Sequence, residues 1–476
     1  MTDSSHAATP AAGWSQRLAA AVAVYARPRL IAVLLVGFSQ GLPLALTGST
    51  VAFWLREEGI SLAAIGLFAL VALPYTFKFV WAPLIDQLPL PFMTRRFGRR
   101  RGWALTMQAA LIAALIVMGL TDPASNLTLF ALLAVAVAFF SASQDIVTDA
   151  WRVELLEDDQ LAAGAAMVVS GYRIGMLASG AGALYLASVL PWSMVYVIMG
   201  AGILVGMATI LAMPEPLAGT APATGDRPEG GGRAGRRPAA ERLAAWFARA
   251  FVGPFSEFMA RRGWVAFLLF AVLYKLGDSM AGHMATPLYV DLGFDKVEVA
   301  NYAKVLGTAA TFGGLFVGGA LMRGLGLGPT LWIAGIAQAL SNLTFAALAL
   351  VGHQDWMLAT AIGVENLTGG VGTAALVAYF SLLCNVQFTA TQFALLSAFA
   401  SAARTFLTAP TGWLVEDLGW VHYFVVTTLA AAPGLAVLLW ITIYVGFRRP
   451  GHDSKTGQDS KPEQDSEGGV EKGGSR

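Results

Sequence analysis

The stretch LTLFALLAVAVAFFSASQDIVTDAWRVELL, residues 127–156, decides how the rest of the chain is read. It opens on a long apolar run, Leu127 to Phe140, and passes without a helix breaker into Asp145, Asp149 and Arg152. Those three follow at i, i+4 and i+7, so on a helix they share one face. A charge at the centre of a bilayer costs about 2.5–3.5 kcal/mol even on the gentler insertion scales. Such a face needs a polar cavity or a partner helix. The plainer alternative is a helix end emerging among headgroups, with Trp151 as an interfacial anchor and Arg152 snorkelling. Asp145 lies deeper and fits that alternative less well.

Composition agrees with a membrane reading. The 476 residues are 56% hydrophobic and only 13% charged, where a soluble chain carries about 25% charged residues. The apolar residues come in runs of about 20, the length that crosses a hydrocarbon core. A net charge of +1 suggests no nucleic-acid partner. The single cysteine, Cys384, excludes an internal disulfide, and the five scattered histidines show no metal-ligand spacing. No metal and no cofactor are expected, and a monomer is expected.

Working outward, residues 1–28 read as a cytoplasmic arm with no cleavage site. Spans are expected at about 30–55, 61–85, 102–120, 127–156, 161–188 and 192–213. A Pro/Gly/Arg-rich linker follows at 214–240. Residues 241–262 are expected to form an amphipathic helix on the inner membrane surface, with Leu243, Trp246, Phe247, Ala250 and Phe251 on one face. Six further spans are expected at about 264–289, 297–322, 330–351, 356–384, 390–414 and 421–447. A charged tail occupies 448–476. Span 1 contains Ser39-Gln40-Gly41-Leu42-Pro43, where a broken helix is expected at mid-depth. Arg95, Arg96, Arg99, Arg100 and Arg101 place the loop after span 2 in the cytoplasm, and with it both termini. The chain thus predicts an all-α integral membrane protein. About twelve spans form two six-helix bundles, 29–213 and 263–447, joined by the basic linker 214–262. Two such halves rocking about a mid-depth site are the plan of a major facilitator.

Helix rise places the polar residues by depth. Gln40, Arg173, Lys275, Glu365, Asn366 and Arg404 fall near the middle. Asp278 lies nearer the outside and Lys304 in the outer third. Lys78, Gln144, Asp145 and Asp149 fall in the inner third. Ionisable groups at such depth are functional candidates by default; the bland alternative is an ion pair that fixes packing, open above all to Lys275 and Asp278 at i and i+3. A buried carboxylate resists ionisation and a nearby arginine reverses that, so Glu365 is the leading proton carrier, with Asp145, Asp149 and Asp278 as competitors. Mid-depth guanidinium groups suit an anionic substrate. Gln40, Gly41, Gln144, Tyr172, Arg173, Lys275, Asn366 and Arg404 make up the expected substrate site. Asp86, Arg99, Arg100 and Arg152 are the expected gating groups. The Gly-rich stretches at 180–182, 313–319 and 369–372 read as helix-packing surfaces, with no nucleotide-loop ending.

WAPLID (Trp81–Asp86) with GRRRGW (Gly98–Trp103) resembles the loop signature of major facilitators. GFSQGLPLALTGST (Gly37–Thr50), SASQDIVTDAW (Ser141–Trp151), GYRIGM (Gly171–Met176), YKLGD (Tyr274–Asp278), ENLTGGVGTAA (Glu365–Ala375) and TQFALLSA (Thr391–Ala398) are similar to the AmpG-type muropeptide permeases. The resemblance implies a bacterial inner-membrane importer. Its substrate would be N-acetylglucosaminyl-anhydro-N-acetylmuramyl peptides, moved from periplasm to cytoplasm with protons. It also implies roles in peptidoglycan recycling and β-lactamase induction. Two departures stand out: Gln87 occupies the place of the usual loop arginine, and Met322 that of the second-half aspartate. The alternatives are a facilitator for an acetyl-CoA-like or drug substrate, and a membrane transferase built on Asp145 and Asp149.

Overall fold

The computed structural model describes residues 26–157, 160–216, 263–383 and 389–444. The N-terminal arm, the amphipathic segment, Cys384 and the charged tail lie outside the described residues, as do the side chains of Asp86 and residues 389–398. No strand occurs among the described residues. Among the described residues, twelve helical stretches follow one another. In the first half these are α1 (Pro28–Glu57), α2 (Leu62–Val80), α3 (Arg99–Leu120), α4 (Leu127–Leu155), α5 (161–187) and α6 (Trp192–Ala212). In the second half they are α7 (Trp264–Asp291), α8 (Lys296–Leu325), α9 (Leu327–Val351), α10 (Asp355–Leu383), α11 (389–418) and α12 (420–444). Helix runs continuously over Thr411–Leu429 except at Gly419, whose φ of 74° turns the chain back and separates α11 from α12. At 1.5 Å per residue, 411–444 taken as one helix would be about 51 Å long, well beyond a core of about 30 Å.

Local chemistry starts these helices where hydropathy leaves the boundary open. The Asn126 side chain accepts from Leu129 N at the head of α4, and Asp295 and Glu298 form a reciprocal capping box at the head of α8. Gly98 and Gly326 open α3 and α9 with nearly the same backbone, φ 92° and 87° with ψ 172° in both. That match is a structural echo between the two halves.

One sequence expectation is corrected. Helix continues through Ser39–Pro43, because Pro43 costs a single backbone donor and the surrounding turns carry on. The break comes after Leu46, where the Thr47 hydroxyl turns back onto the Pro43 carbonyl at 3.1 Å. The sharper mid-depth interruption lies in α7, which stops at Leu273 and restarts at Leu276. Lys275 stands at that gap. Two π-helical segments, Ala178–Gly182 in α5 and Ala300–Leu306 in α8, pack against each other across the halves.

Glycines let the helices meet backbone to backbone. A Cβ on Gly41 would run into the carbonyl oxygen of Tyr172, one on Gly171 into that of Leu34, and one on Gly314 into that of Leu367. Gly171→Ala is therefore expected to force α1 and α5 apart and destabilise the fold by about 1–3 kcal/mol. Gly182→Ala, with nothing within 4 Å of the added methyl, should leave thermal unfolding in detergent unchanged.

The face carrying Pro28, Ala212, Trp264 and Tyr444 is called terminal here, and the opposite face distal. The polar contacts between the halves gather toward the distal face. The Arg56 guanidinium grips the Asp291 carboxylate, one arm at 2.8 Å. Lys296 Nζ meets Glu57 Oε1 at 2.7 Å. Ala63 N donates to Glu416 at 2.9 Å, and the His283 ring meets the Gly66 carbonyl at 3.1 Å. Glu57 and Asp291, the two carboxylates of this latch that form ion pairs, are each also held by an indole of their own half. Trp192 Nε1 donates to Glu57 at 2.7 Å, and Trp420 Nε1 donates to Asp291 at 3.0 Å.

Candidate functional site

Two polar clusters form below the distal latch, one in each half. In the first, α1, α2 and α4 converge. Gln40 Nε2 donates to Thr148 Oγ1 at 2.7 Å, and the Thr148 hydroxyl donates back to the Gln144 carbonyl at 2.7 Å. Lys78 Nζ approaches Asp145 Oδ2 at 3.6 Å. Several polar atoms here are buried with no hydrogen-bond partner among the described residues. They are both amide atoms of Gln144, Gln40 Oε1 and Asp145 Oδ1, with the Tyr75 and Ser141 hydroxyls beside one another nearby. Buried polar atoms are nearly always satisfied, so this concentration marks a surface shaped for something other than its own packing.

The second cluster is built on the gap in α7. Lys275 Nζ donates to Asp278 Oδ2 at 2.6 Å, Gln338 Oε1 at 2.8 Å and the Gly369 carbonyl at 3.4 Å. The pairing alternative for Lys275 and Asp278 is thus realised, yet Asp278 Oδ1 stays buried without a partner among the described residues. Beside it, Asn366 Nδ2 donates to Glu365 Oε2 at 2.6 Å, and Thr311 Oγ1 donates to Asn366 Oδ1 at 3.0 Å. Arg404 reaches from α11 and donates to the Ala271 carbonyl of α7 at 3.0 Å.

Arg173 lies on the face of α5 opposite Gly171 and Gly175, which pack on α1. Its side chain is exposed, and its guanidinium lies 5.5 Å from the Phe312 ring of α8 in the other half. Tyr172 is half-buried beside it. Asp149 is 49% exposed, with Arg152 at 3.8 Å.

The remaining expected residues stand elsewhere. Gly41 serves the contact with α5. Arg100 bonds Glu154 at 2.7 Å within its own half. The Glu215 carboxylate caps the backbone N–H groups of Arg100 and Arg101 at 2.8 and 3.1 Å. Arg99 belongs to the same helix start. Tyr75, Ser141, Thr148, Thr311 and Gln338 join the clusters without having been singled out in the sequence. A hydroxyl or amide in an apolar run is too common to draw notice alone. Between α2 and α4 runs a separate groove of about 910 Å³, lined almost wholly by apolar side chains such as Leu67, Phe77, Leu132 and Phe139. It suits lipid chains and takes no part in the polar site.

The model of the Major Facilitator Superfamily matches residues 30–364. The chain belongs to the major facilitator superfamily. This facilitator is 41% identical over 418 residues to the anhydromuropeptide permease of Escherichia coli K12, covering 87% of this chain and 80% of that one. It is 35% identical to putative transporter AmpG 4 of Rickettsia felis, over 87% and 96% of the two chains. Among solved structures, a peptide transporter POT in complex with sulfate superposes with a TM-score of 0.62 at 12% identity, over 88% and 96% of the chains. A D-xylose–proton symporter superposes with a TM-score of 0.60 at 12% identity, over 88% and 97%. At that identity the solved structures speak for the fold alone. The relatives and fold neighbours of this facilitator are transporters, and it is a membrane transporter rather than an enzyme.

Proposed function

We propose that this facilitator imports anhydro-muropeptides from periplasm to cytoplasm in exchange for the energy of the proton gradient, by alternating access. The bundles are 29–213 and 263–447, with 214–262 as a cytoplasmic linker. The observation that carries the reading is the set of buried unpartnered atoms on α1, α4 and α7: Gln40, Gln144, Asp145 and Asp278. Ion pairs serving only to fix packing would satisfy their own atoms. These instead offer amide and carboxylate partners to a ligand rich in hydroxyls and amides. Relatedness to an anhydromuropeptide permease supports the substrate class.

The terminal face carries Arg95, Arg96, Arg99, Arg100 and Arg101, so it is read as cytoplasmic. The latch then closes the periplasmic side, which is the arrangement of a state open inward, and Asp149 and Arg173 keep exposed side chains. Glu365, beside Lys275 and Asp278, is read as the group that takes and releases the coupled proton. Asp145, Asp149 and Asp278 are the other carboxylates placed to take part. The protein is read as a monomer of the inner membrane.

Uptake of labelled muropeptide into membrane vesicles tests the assignment. Saturable uptake competed by unlabelled muropeptide is expected. Competition only by an acetyl-CoA-like or drug solute would overturn it.

Arg173 and Arg404 are assigned to peptide carboxylates. Arg173→Ala or Arg404→Ala should weaken binding of peptide-bearing substrate roughly 10-fold, the scale of one charge-assisted hydrogen bond. Binding of the peptide-free disaccharide should change much less. Equal losses for both ligands in a binding titration would assign the arginines to packing.

A further inference from the structure

The polar groups of the two clusters do not account for Lys304. It lies within the π-helical segment of α8, in the distal part of the boundary between the halves. Its ammonium donates to Ser49 Oγ of α1 at 2.6 Å. Its methylene stem would lie 3.3 Å from a Cβ on Gly180, in the facing π-helical segment of α5. Both neighbours belong to the other half. No carboxylate lies within ion-pair distance of Lys304 among the described residues, whereas Arg56, Lys78, Arg100, Lys275 and Lys296 each have one. A hydroxyl accepts one hydrogen bond from an ammonium that has three to give and leaves its charge unmatched. Lys304 is half-buried; drawing a cation part-way out of water without a counter-charge is costly, and π-helical turns inside α-helices recur at functional positions.

Position says what such a cation could do. Ser49 and Gly180 move away from Lys304 in any motion that parts the halves at the distal face. Three residues further along α8, a Cβ on Gly307 would lie 3.2 Å from Asn366 Nδ2, and Thr311 bonds Asn366 directly. One face of α8 therefore leads from Lys304 to the Glu365–Asn366 pair.

We propose that Lys304 is a substrate-binding residue: when the distal face opens, its ammonium leaves Ser49 and receives a carboxylate of the incoming ligand. Closure returns it to Ser49 as the ligand passes to the central clusters. This rests on the import reading above, since it assumes a peptide-bearing ligand arriving from the distal side.

The test compares N-acetylglucosaminyl-anhydro-N-acetylmuramyl tripeptide with the peptide-free disaccharide in right-side-out vesicles. Lys304→Gln is expected to raise KM for the tripeptide form roughly 10-fold, the effect of one charge-assisted contact, and KM for the disaccharide by less than about twofold. Lys304→Arg, which keeps the charge, should retain most of the preference. Ser49→Ala should leave the ratio of the two KM values unchanged, because it removes only the resting partner. If Lys304→Gln and Ser49→Ala alter both ligands equally, Lys304 is a closing contact and the proposal fails. If the unmodified protein takes up neither ligand, the import reading fails first. Loss of Lys304→Gln from the membrane with Lys304→Arg normal in amount but without peptide preference would also overturn the proposal.

Discussion

Replacing Glu365 with glutamine is expected to abolish proton-driven accumulation while leaving exchange of substrate across the membrane intact. The neutral side chain has the same shape, and its carbonyl oxygen can still accept from Asn366 Nδ2, which now lies 2.6 Å from Glu365 Oε2. Thr311 would still hold Asn366 at 3.0 Å. Only the capacity to bind and release a proton is lost. Counterflow, which needs no gradient, should therefore continue, and net uptake should stop when inside and outside concentrations are equal. Full accumulation by Glu365→Gln would remove this residue as the proton carrier. The role would then pass to Asp278, whose Oδ1 has no partner among the described residues, or to Asp145.

The second large effect is expected at the distal latch. Arg56 and Glu57 are neighbours in α1, and each meets an opposite charge of the second half, Asp291 and Lys296. The Arg56 and Asp291 side chains are only 24% and 19% exposed, so the pair is screened less than a surface pair. Arg56→Asp sets two carboxylates against each other and should disfavour the distally closed state by on the order of 2 kcal/mol, a roughly 30-fold shift in the open-to-closed ratio. Asp291→Arg alone should do the same. The double exchange should restore most of the closed population, because it rebuilds an ion pair, although Trp420 Nε1 loses its carboxylate acceptor. Alkylation of a cysteine introduced at Ile60 by a membrane-impermeant reagent reads distal opening. Labelling that rises in each single variant and falls in the double variant is expected. Unchanged labelling in all three would mean that the ion pairs follow closure without holding it.

Much of this is legible in the amino-acid sequence. Run length and apolarity mark out most of the helices, ten of them among the described residues, since few sequences of some twenty apolar residues have any other fate than crossing a bilayer. Charges inside those runs are rare enough to be conspicuous, which is why Asp145, Lys275, Asp278, Glu365 and Arg404 stand out, and the amide of Gln40 stands out beside a Gly and a Pro. The latch was not legible. Arg56, Glu57, Asp291 and Lys296 sit at span ends, where charges are ordinary, and Asp291 reads simply as an acidic loop residue. Their meaning comes from a crossed pairing that exists only once the halves meet. The helix break was misplaced for a related reason. Pro43 is the visible breaker, but a proline removes one donor and a long helix absorbs that loss. The gap at Lys275 has no proline to announce it, only Gly277 two residues on, and it coincides with three acceptors drawn from Asp278, Gln338 and Gly369.

The central claim is that charged and amide side chains deep in the spans line a route that moves a muropeptide at the expense of a proton gradient. Purified protein in proteoliposomes, given labelled anhydro-muropeptide, tests it most directly. With an inward proton gradient imposed, label should accumulate above its external concentration, and collapsing the gradient with an ionophore should release the excess. Accumulation indifferent to the gradient, or no saturable muropeptide entry by correctly folded protein, would contradict the account.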